Sequence, residues 1–155
     1  MENTGFRFAE LRTRHDLKQW QIARILNVKT NTYSKWEKGI NDISLEKLNE
    51  LANFYRVSLD YFVGISDLYY EVKPKPIKLA IMRKRLLLLR QEKNLSQSLL
   101  SKKTGFAQTT YSSFETGVRT PTAFKLFHLC QFYQVSFDYL LGRSDQKERE
   151  LSTVA

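Results

Sequence analysis

Residues 11–67 come back as residues 89–145. Laid over each other at an offset of 78 and without a gap, the two stretches agree at 21 of 57 positions. Leu11, Arg12, Leu17 and Gln19 meet Leu89, Arg90, Leu95 and Gln97, and Tyr33, Ser34, Glu37 and Gly39 meet Tyr111, Ser112, Glu115 and Gly117. Near the end of each stretch, Phe54, Tyr55, Val57, Ser58, Asp60, Tyr61 and Gly64 recur as Phe132, Tyr133, Val135, Ser136, Asp138, Tyr139 and Gly142. Chance does not produce such agreement. The chain is a tandem duplication, and any fold proposed for one copy must serve the other. Its 155 residues are then read as two small domains, 1–67 and 79–145, joined by a linker at 68–78 and followed by a flexible tail at 146–155.

Each copy reads as five short helices, and no stretch alternates with the period of a strand, so the expected class is all-α. The first helix runs from about Thr4 to His15 with Phe8 and Leu11 inward. The second spans about Gln19 to Leu26, with Ile22, Ala23 and Leu26 on one face, and turns at Asn27, where copy two has Gly105. The third occupies 28–39 and 106–117, VKTNTYSKWEKG and FAQTTYSSFETG. Tyr33 and Trp36 sit three apart on its inner side, which leaves Lys29, Thr30, Asn31 and Lys35 facing outward. Amide, hydroxyl and ammonium groups on one face suit base edges and phosphates. Ser44 caps a fourth helix that carries Leu48, Leu51 and Ala52 to the core as far as Tyr55, and a fifth starts at Ser58 and stops before Gly64. Pro74 and Pro76 forbid helix in the linker and favour an extended spacer reaching roughly 34 Å.

The formal net charge of +9 favours a polyanionic partner. It is uneven: 5–67 carries ten basic and eight acidic residues, and 79–145 ten basic and four acidic. The longest apolar run, 86–89, is far too short for a membrane span, and no signal-peptide pattern opens the chain. The single cysteine, Cys130, matches Ala52 of copy one and reads as a core thiol in a reducing cytoplasm. His15 and His128 lack partners at metal-ligand spacing and read as surface imidazoles. With no phosphate loop and no nucleophile–base spacing, neither catalysis nor a cofactor or metal is expected.

Both copies resemble the Cro/CI-type (XRE) helix-turn-helix of phage and bacterial repressors. Copy two shows the pattern as Leu95-Ser96-Gln97, Ser101, Gly105 and Phe114-Glu115-Thr116-Gly117, copy one as Leu17-Lys18-Gln19, Ala23, Asn27 and Trp36-Glu37-Lys38-Gly39. The closing Val-Ser-x-Asp-Tyr-x-x-Gly of each copy is similar too. The resemblance implies two tandem five-helix, lambda-repressor-like domains, each placing its third helix in the major groove. It makes Thr30, Asn31 and Lys35 the base readers of copy one, and Gln108, Thr109 and Ser113 those of copy two. Gln19 and Gln97 would bond phosphates at the start of the second helix, with Lys38, Lys102, Lys103 and Arg119 as further phosphate contacts. Arg12 with Glu37, and Arg90 with Glu115, stand where the family forms a buried ion pair beneath the third helix.

Some positions depart from the pattern. Lys18 replaces the usual Ser or Thr cap of helix two, and Lys29 and Ala107 the usual cap of helix three. Copy two's third helix has no basic residue, which fits sequence-independent DNA binding or a switch to gripping a protein. The expected function is a sequence-specific, double-stranded DNA-binding repressor from a phage or mobile element. With two copies, a spacer and a tail using up the chain, control is expected from abundance or from a protein antagonist. The rival is a protein-interaction module, an antirepressor or an inhibitor of a host defence nuclease that also represses its own gene, with an antitoxin as a third reading. A homodimer paired through the fifth helices, by Leu59 and Phe62 or Phe137 and Leu140, is the alternative to one chain covering two unlike half-sites.

Overall fold

The computed structural model describes residues 6–150 and contains helices and turns but no strand among them. Copy one folds as α1 (Phe8–Arg14), α2 (Gln19–Ile25), α3 (Thr30–Glu37), α4 (Leu45–Tyr55) and α5 (Leu59–Phe62). Copy two repeats the order as α6 (Leu79–Glu92), α7 (Gln97–Thr104), α8 (Gln108–Thr116), α9 (Ala123–Tyr133) and α10 (Phe137–Leu140). The expected start of the first helix at Thr4 lies outside the described residues. The two compact units divide at Lys75 and Pro76, the second running to Arg149.

The helices begin and end where local chemistry allows. Ser44, Ser58, Ser96 and Ser136 each accept a hydrogen bond from the backbone N–H three residues on, starting α4, α5, α7 and α10. Such a cap contributes about 1 kcal/mol. Lys18 has no such oxygen, but the Gln21 side chain accepts the Lys18 N–H at 2.8 Å, which restores half of a capping box. The turn between α2 and α3 passes through the left-handed region at Asn27 (φ 54°), and its counterpart at Gly105 (φ 78°). Asparagine tolerates that region and glycine adopts it without strain.

Each unit wraps its helices around one apolar core. In copy one Leu11, Ile22, Tyr33, Leu48, Leu51, Ala52 and Phe62 are fully buried, and in copy two Leu86, Leu100, Tyr111, Leu126, Leu129, Cys130 and Phe137. Each large aliphatic or aromatic side chain so buried contributes roughly 1.5–3 kcal/mol. The small Ala23 lets α2 and α3 pack closely, and Ser101, in its place in copy two, donates to the Phe106 carbonyl at 2.5 Å.

A second duplicated feature closes each module on itself. The Arg7 guanidinium donates to the carbonyls of Tyr61 and Ser66, pairs with Asp67, and lies over the Tyr61 ring, 4.1 Å from its centre. Arg85 repeats this with the carbonyls of Tyr139 and Ser144 (the latter at 2.8 Å), with Asp145 at 2.7 Å, and over the Tyr139 ring at 4.1 Å. Arg7 and Arg85 are themselves 78 positions apart, just ahead of the overlay that begins at Leu11.

Three expectations need correction. Leu59, Phe62, Phe137 and Leu140 all have zero exposure. These four side chains fill their own cores, so no chain can pair with another through them. The spacer is not a free extended tether along its length. Asn53 accepts the Lys75 N–H at 3.0 Å and donates to the Lys75 carbonyl at 2.9 Å, and Asn49 donates to the same carbonyl at 3.1 Å. Val72 N–H donates to the Arg56 carbonyl, while Tyr69 lies beneath the Arg14 guanidinium and beside Tyr61. Lys78 N–H in turn donates to the Leu141 carbonyl of the second unit. Between these anchors only Pro76 and Ile77 remain. The start of the tail is also held: Arg149 donates to the carbonyls of Cys130 (2.6 Å) and Val135 (3.2 Å), where α9 ends, and Ser136 N–H donates to the Lys147 carbonyl. Residues 151–155 of the expected tail lie outside the described residues.

Candidate nucleic-acid interface

The third helix of each copy is held from beneath. Tyr33 and Tyr111 are fully buried; Phe114 is buried and Trp36 half-buried on the same side. Helical periodicity then turns Thr30 and Asn31, and in copy two Gln108 and Thr109, outward, where all four are exposed. Lys35 and Ser113 stand one turn further along and are partly covered, and the Ser113 hydroxyl donates to the Thr110 carbonyl at 2.6 Å. Neither Lys29 nor Ala107 caps its helix with a side chain. The first-turn N–H groups of α3 and α8 therefore take no partner from the cap position, at the helix end where the dipole favours anions.

Beneath these faces lie the two Arg–Glu pairs. Arg12 meets Glu37 along one edge of its guanidinium, Nε to Oε2 at 3.0 Å and Nη2 to Oε1 at 2.8 Å, and Nη1 donates to the Leu17 carbonyl at 2.9 Å. Arg90 meets Glu115 at 2.6 and 3.1 Å and donates to the Leu95 carbonyl at 2.8 Å. The side chains are 17% and 10% exposed in the first pair and 17% and 7% in the second. Burial alone would raise the Glu37 and Glu115 carboxyls. The guanidinium hydrogen bonds, with smaller contributions from Tyr33 and Gln19 or from Gln97 and Tyr111, outweigh it and hold both below the ordinary carboxylate value. The carboxylates push Arg12 and Arg90 upward through the same hydrogen bonds, against the opposing effect of burial. Each pair ties the first helix of its module to the end of the third helix, and so sets the angle of that helix.

The glutamines at the start of the second helix belong to this network. Gln97 Nε2 donates to Glu115 Oε2 at 2.9 Å, and Gln19 lies close enough to Glu37 to help lower its pKa. Sequence reasoning assigned Gln19 and Gln97 to phosphate alone. Their recurrence at the same offset as Arg and Glu was the available sign of a three-residue unit. An amide has two N–H donors, so one remains for a ligand when the other is spent on the carboxylate.

The remaining candidates surround α3 and α8. Lys38 is the exposed C-cap of α3. Lys102 and Lys103 are exposed in the last turn of α7, and Arg119 is exposed in the turn after α8, with its N–H on the Ser113 carbonyl. Copy two has a shallow depression of about 530 Å³ lined by Gln97, Gln108, Thr109, Ser112, Ser113, Thr116 and Val118. Four of these residues were singled out from the sequence, so the fold gathers them on one surface. No helix among the described residues is long and apolar enough to cross a membrane.

Several proteins are similar in sequence to part of the chain. The transcriptional regulator AnsR of Bacillus subtilis is 38% identical over 64 residues, covering 41% of this chain and 55% of AnsR. The cryptic phage CTXphi transcriptional repressor RstR of Vibrio cholerae is 36% identical over 66 residues, 43% of this chain and 60% of RstR. The antitoxin PezA of Streptococcus pneumoniae is 30% identical over 77 residues, half of this chain and 49% of PezA. The chain thus spans about half to three-fifths of the length of these curated relatives. The helix-turn-helix family pattern matches residues 8–62 and again residues 86–140, the two modules built above, and the chain belongs to that family, of XRE type.

Proposed function

We propose that the chain is a sequence-specific, double-stranded DNA-binding transcriptional repressor of phage or mobile-element type, acting in the cytoplasm without a cofactor. The observation that carries this is the pair of exposed polar faces, Thr30 and Asn31 on α3 and Gln108 and Thr109 on α8, each on a helix locked at its far end by an Arg–Glu–Gln unit. Asn31 and Gln108 offer the paired donor and acceptor that adenine presents in the major groove, and Lys35 suits guanine. Lys38, Lys102, Lys103 and Arg119 are exposed cations placed around those faces, and they would meet phosphates. Because the two faces differ, one chain would read two unlike half-sites.

Selection of duplexes from a random pool tests this. A defined, non-palindromic site should emerge, with affinity falling ~10³–10⁵-fold between 50 and 200 mM salt if about six to ten phosphates are met. Failure of any sequence to enrich would overturn the proposal. A second reading draws on the absence of any basic residue from α8 and on the resemblance to an antitoxin: copy two grips a protein antagonist or target while copy one alone reads DNA. A footprint confined to one half-site, unchanged by Gln108→Ala, would favour it.

A further inference from the structure

The two reading helices differ in charge in a patterned way. From N-cap to C-cap, α3 has lysines at 29, 35 and 38, and the matching positions of copy two are Ala107, Ser113 and Thr116. Copy two gains six cations elsewhere, and three of them concern α8: Lys103 opposite Ile25, Arg119 opposite Asn41, and Arg83 opposite Gly5. Lys103 lies in the last turn of α7 and Arg119 follows α8. Arg83, on α6, belongs by sequence to a different part of the module, and no motif marks it.

The structure brings it to the same place. A methyl group on the α-carbon of Gly117 would stand 1.8 Å from Arg83 Nη1 and 2.8 Å from its Cδ and Cζ. The arginine therefore lies across the bare α-carbon of the residue that ends α8, a glycine with φ 81°. Its guanidinium sits at the carbonyl end of the reading helix, where the helix dipole favours a cation. No hydrogen bond or ion pair to another described residue engages it. Val118, next in the chain, lines the depression on the α8 face, so the cation borders that surface. An arginine with five donors and no carboxylate partner among the described residues is suited to phosphate.

We infer that Arg83 is a DNA-phosphate contact of copy two, a cation placed beside the reading helix rather than on it. The inference rests on the DNA-binding function proposed above. Copy two would thus keep its backbone grip while freeing Gln108, Thr109 and Ser113 to face bases without a competing lysine.

The test uses the full chain and the duplex recovered by random-site selection, with fluorescence anisotropy between 50 and 200 mM salt. Arg83→Gln should reduce the slope of log affinity against log salt by about 0.9, so that its loss of affinity over that range is about 3.5-fold smaller than that of the unaltered chain. Arg83→Lys should retain the slope, and Arg119→Gln should reduce it alike. Thermal unfolding of the variants runs in parallel. If Arg83→Gln lowers the melting temperature but keeps the full slope while Arg119→Gln loses its share, Arg83 is only a helix cap: the inference fails and the DNA-binding function stands. If the unaltered chain binds no duplex, both fall together.

Discussion

Replacing Glu37 by alanine removes the carboxylate that pins α3. Arg12 then loses two of its three hydrogen bonds and keeps only that to the Leu17 carbonyl at 2.9 Å. Breaking a buried pair from one side costs about 3–5 kcal/mol, because the stranded charge has lost its solvation and its partner. The Arg12 side chain is still 17% exposed, so water reaches it, and the lower end, about 3 kcal/mol, is expected. For a module of this size 1 kcal/mol moves the melting temperature by about 4–8 °C, giving a fall of about 12–24 °C in the transition of the first unit. Calorimetry of the full chain, with Glu115→Ala as the mirror experiment, reads this directly: each substitution should shift the transition of its own module. Replacing both members, Arg12→Met with Glu37→Leu, should recover most of the loss, since the pair fixes an angle more than it adds stability. A loss below about 1 kcal/mol for Glu37→Ala would show that the charge is not stranded and would refute the reasoning.

Acid should act through the same two carboxylates. Their folded pKa values are lowered, so their stabilisation is complete above the unfolded carboxylate value of about 4.3 and is lost as pH falls through the lower folded values. Glu37→Gln with Glu115→Gln should flatten the acid limb of a stability–pH curve. On the selected site, Asn31→Ala, Lys35→Ala or Gln108→Ala should each cost ~1–3 kcal/mol and relax preference at one base position. Lys38→Ala should instead weaken all sequences alike. An unchanged preferred site after Asn31→Ala would show that the reading face is misplaced. Asn53→Ala should abolish hydrogen-exchange protection of the Lys75 amide, whose acceptor is the Asn53 side chain; persistent protection would mean that something else holds the spacer.

Much of the fold could be read because it is locally encoded. Serine caps at 44 and 58, glycine or asparagine turns, and apolar residues three and four apart locate helices without reference to distant parts of the chain. Cys130 was placed in the core by its match to Ala52, and it is fully buried. The features that escaped depend on distant contacts. Pro74 and Pro76 rule out helix in the spacer, but its docking depends on two asparagines of α4, more than 20 residues away. The fifth helices are four residues long and buried, and their apolar side chains look in sequence like those of a sticky surface. Arg56 (φ 54°) and Gln134 (φ 58°) end α4 and α9 in the left-handed region, which neither residue type advertises. In the site, residue type and spacing named the outward face. They could not show that Gln97 bonds the Glu115 carboxylate, nor that Arg83 reaches the far end of α8.

The arginine clamps bear on how such a chain matures during synthesis. Arg7 finds its partners only when Ser66 and Asp67 exist, 59 and 60 residues later, so a module must emerge almost entire before its ends can meet. Domains generally fold as units, N-terminal first, as the chain is made. The first module can therefore close on Asp67 while its near copy is still unmade, and Arg7 faces no competing Asp145. A refolding chain has no such order, because both arginines then find both sets of partners at once. Exchange of matching segments between modules is a characteristic failure of repeat proteins. This chain should accordingly reach its native pairing more cleanly from the ribosome than from denaturant.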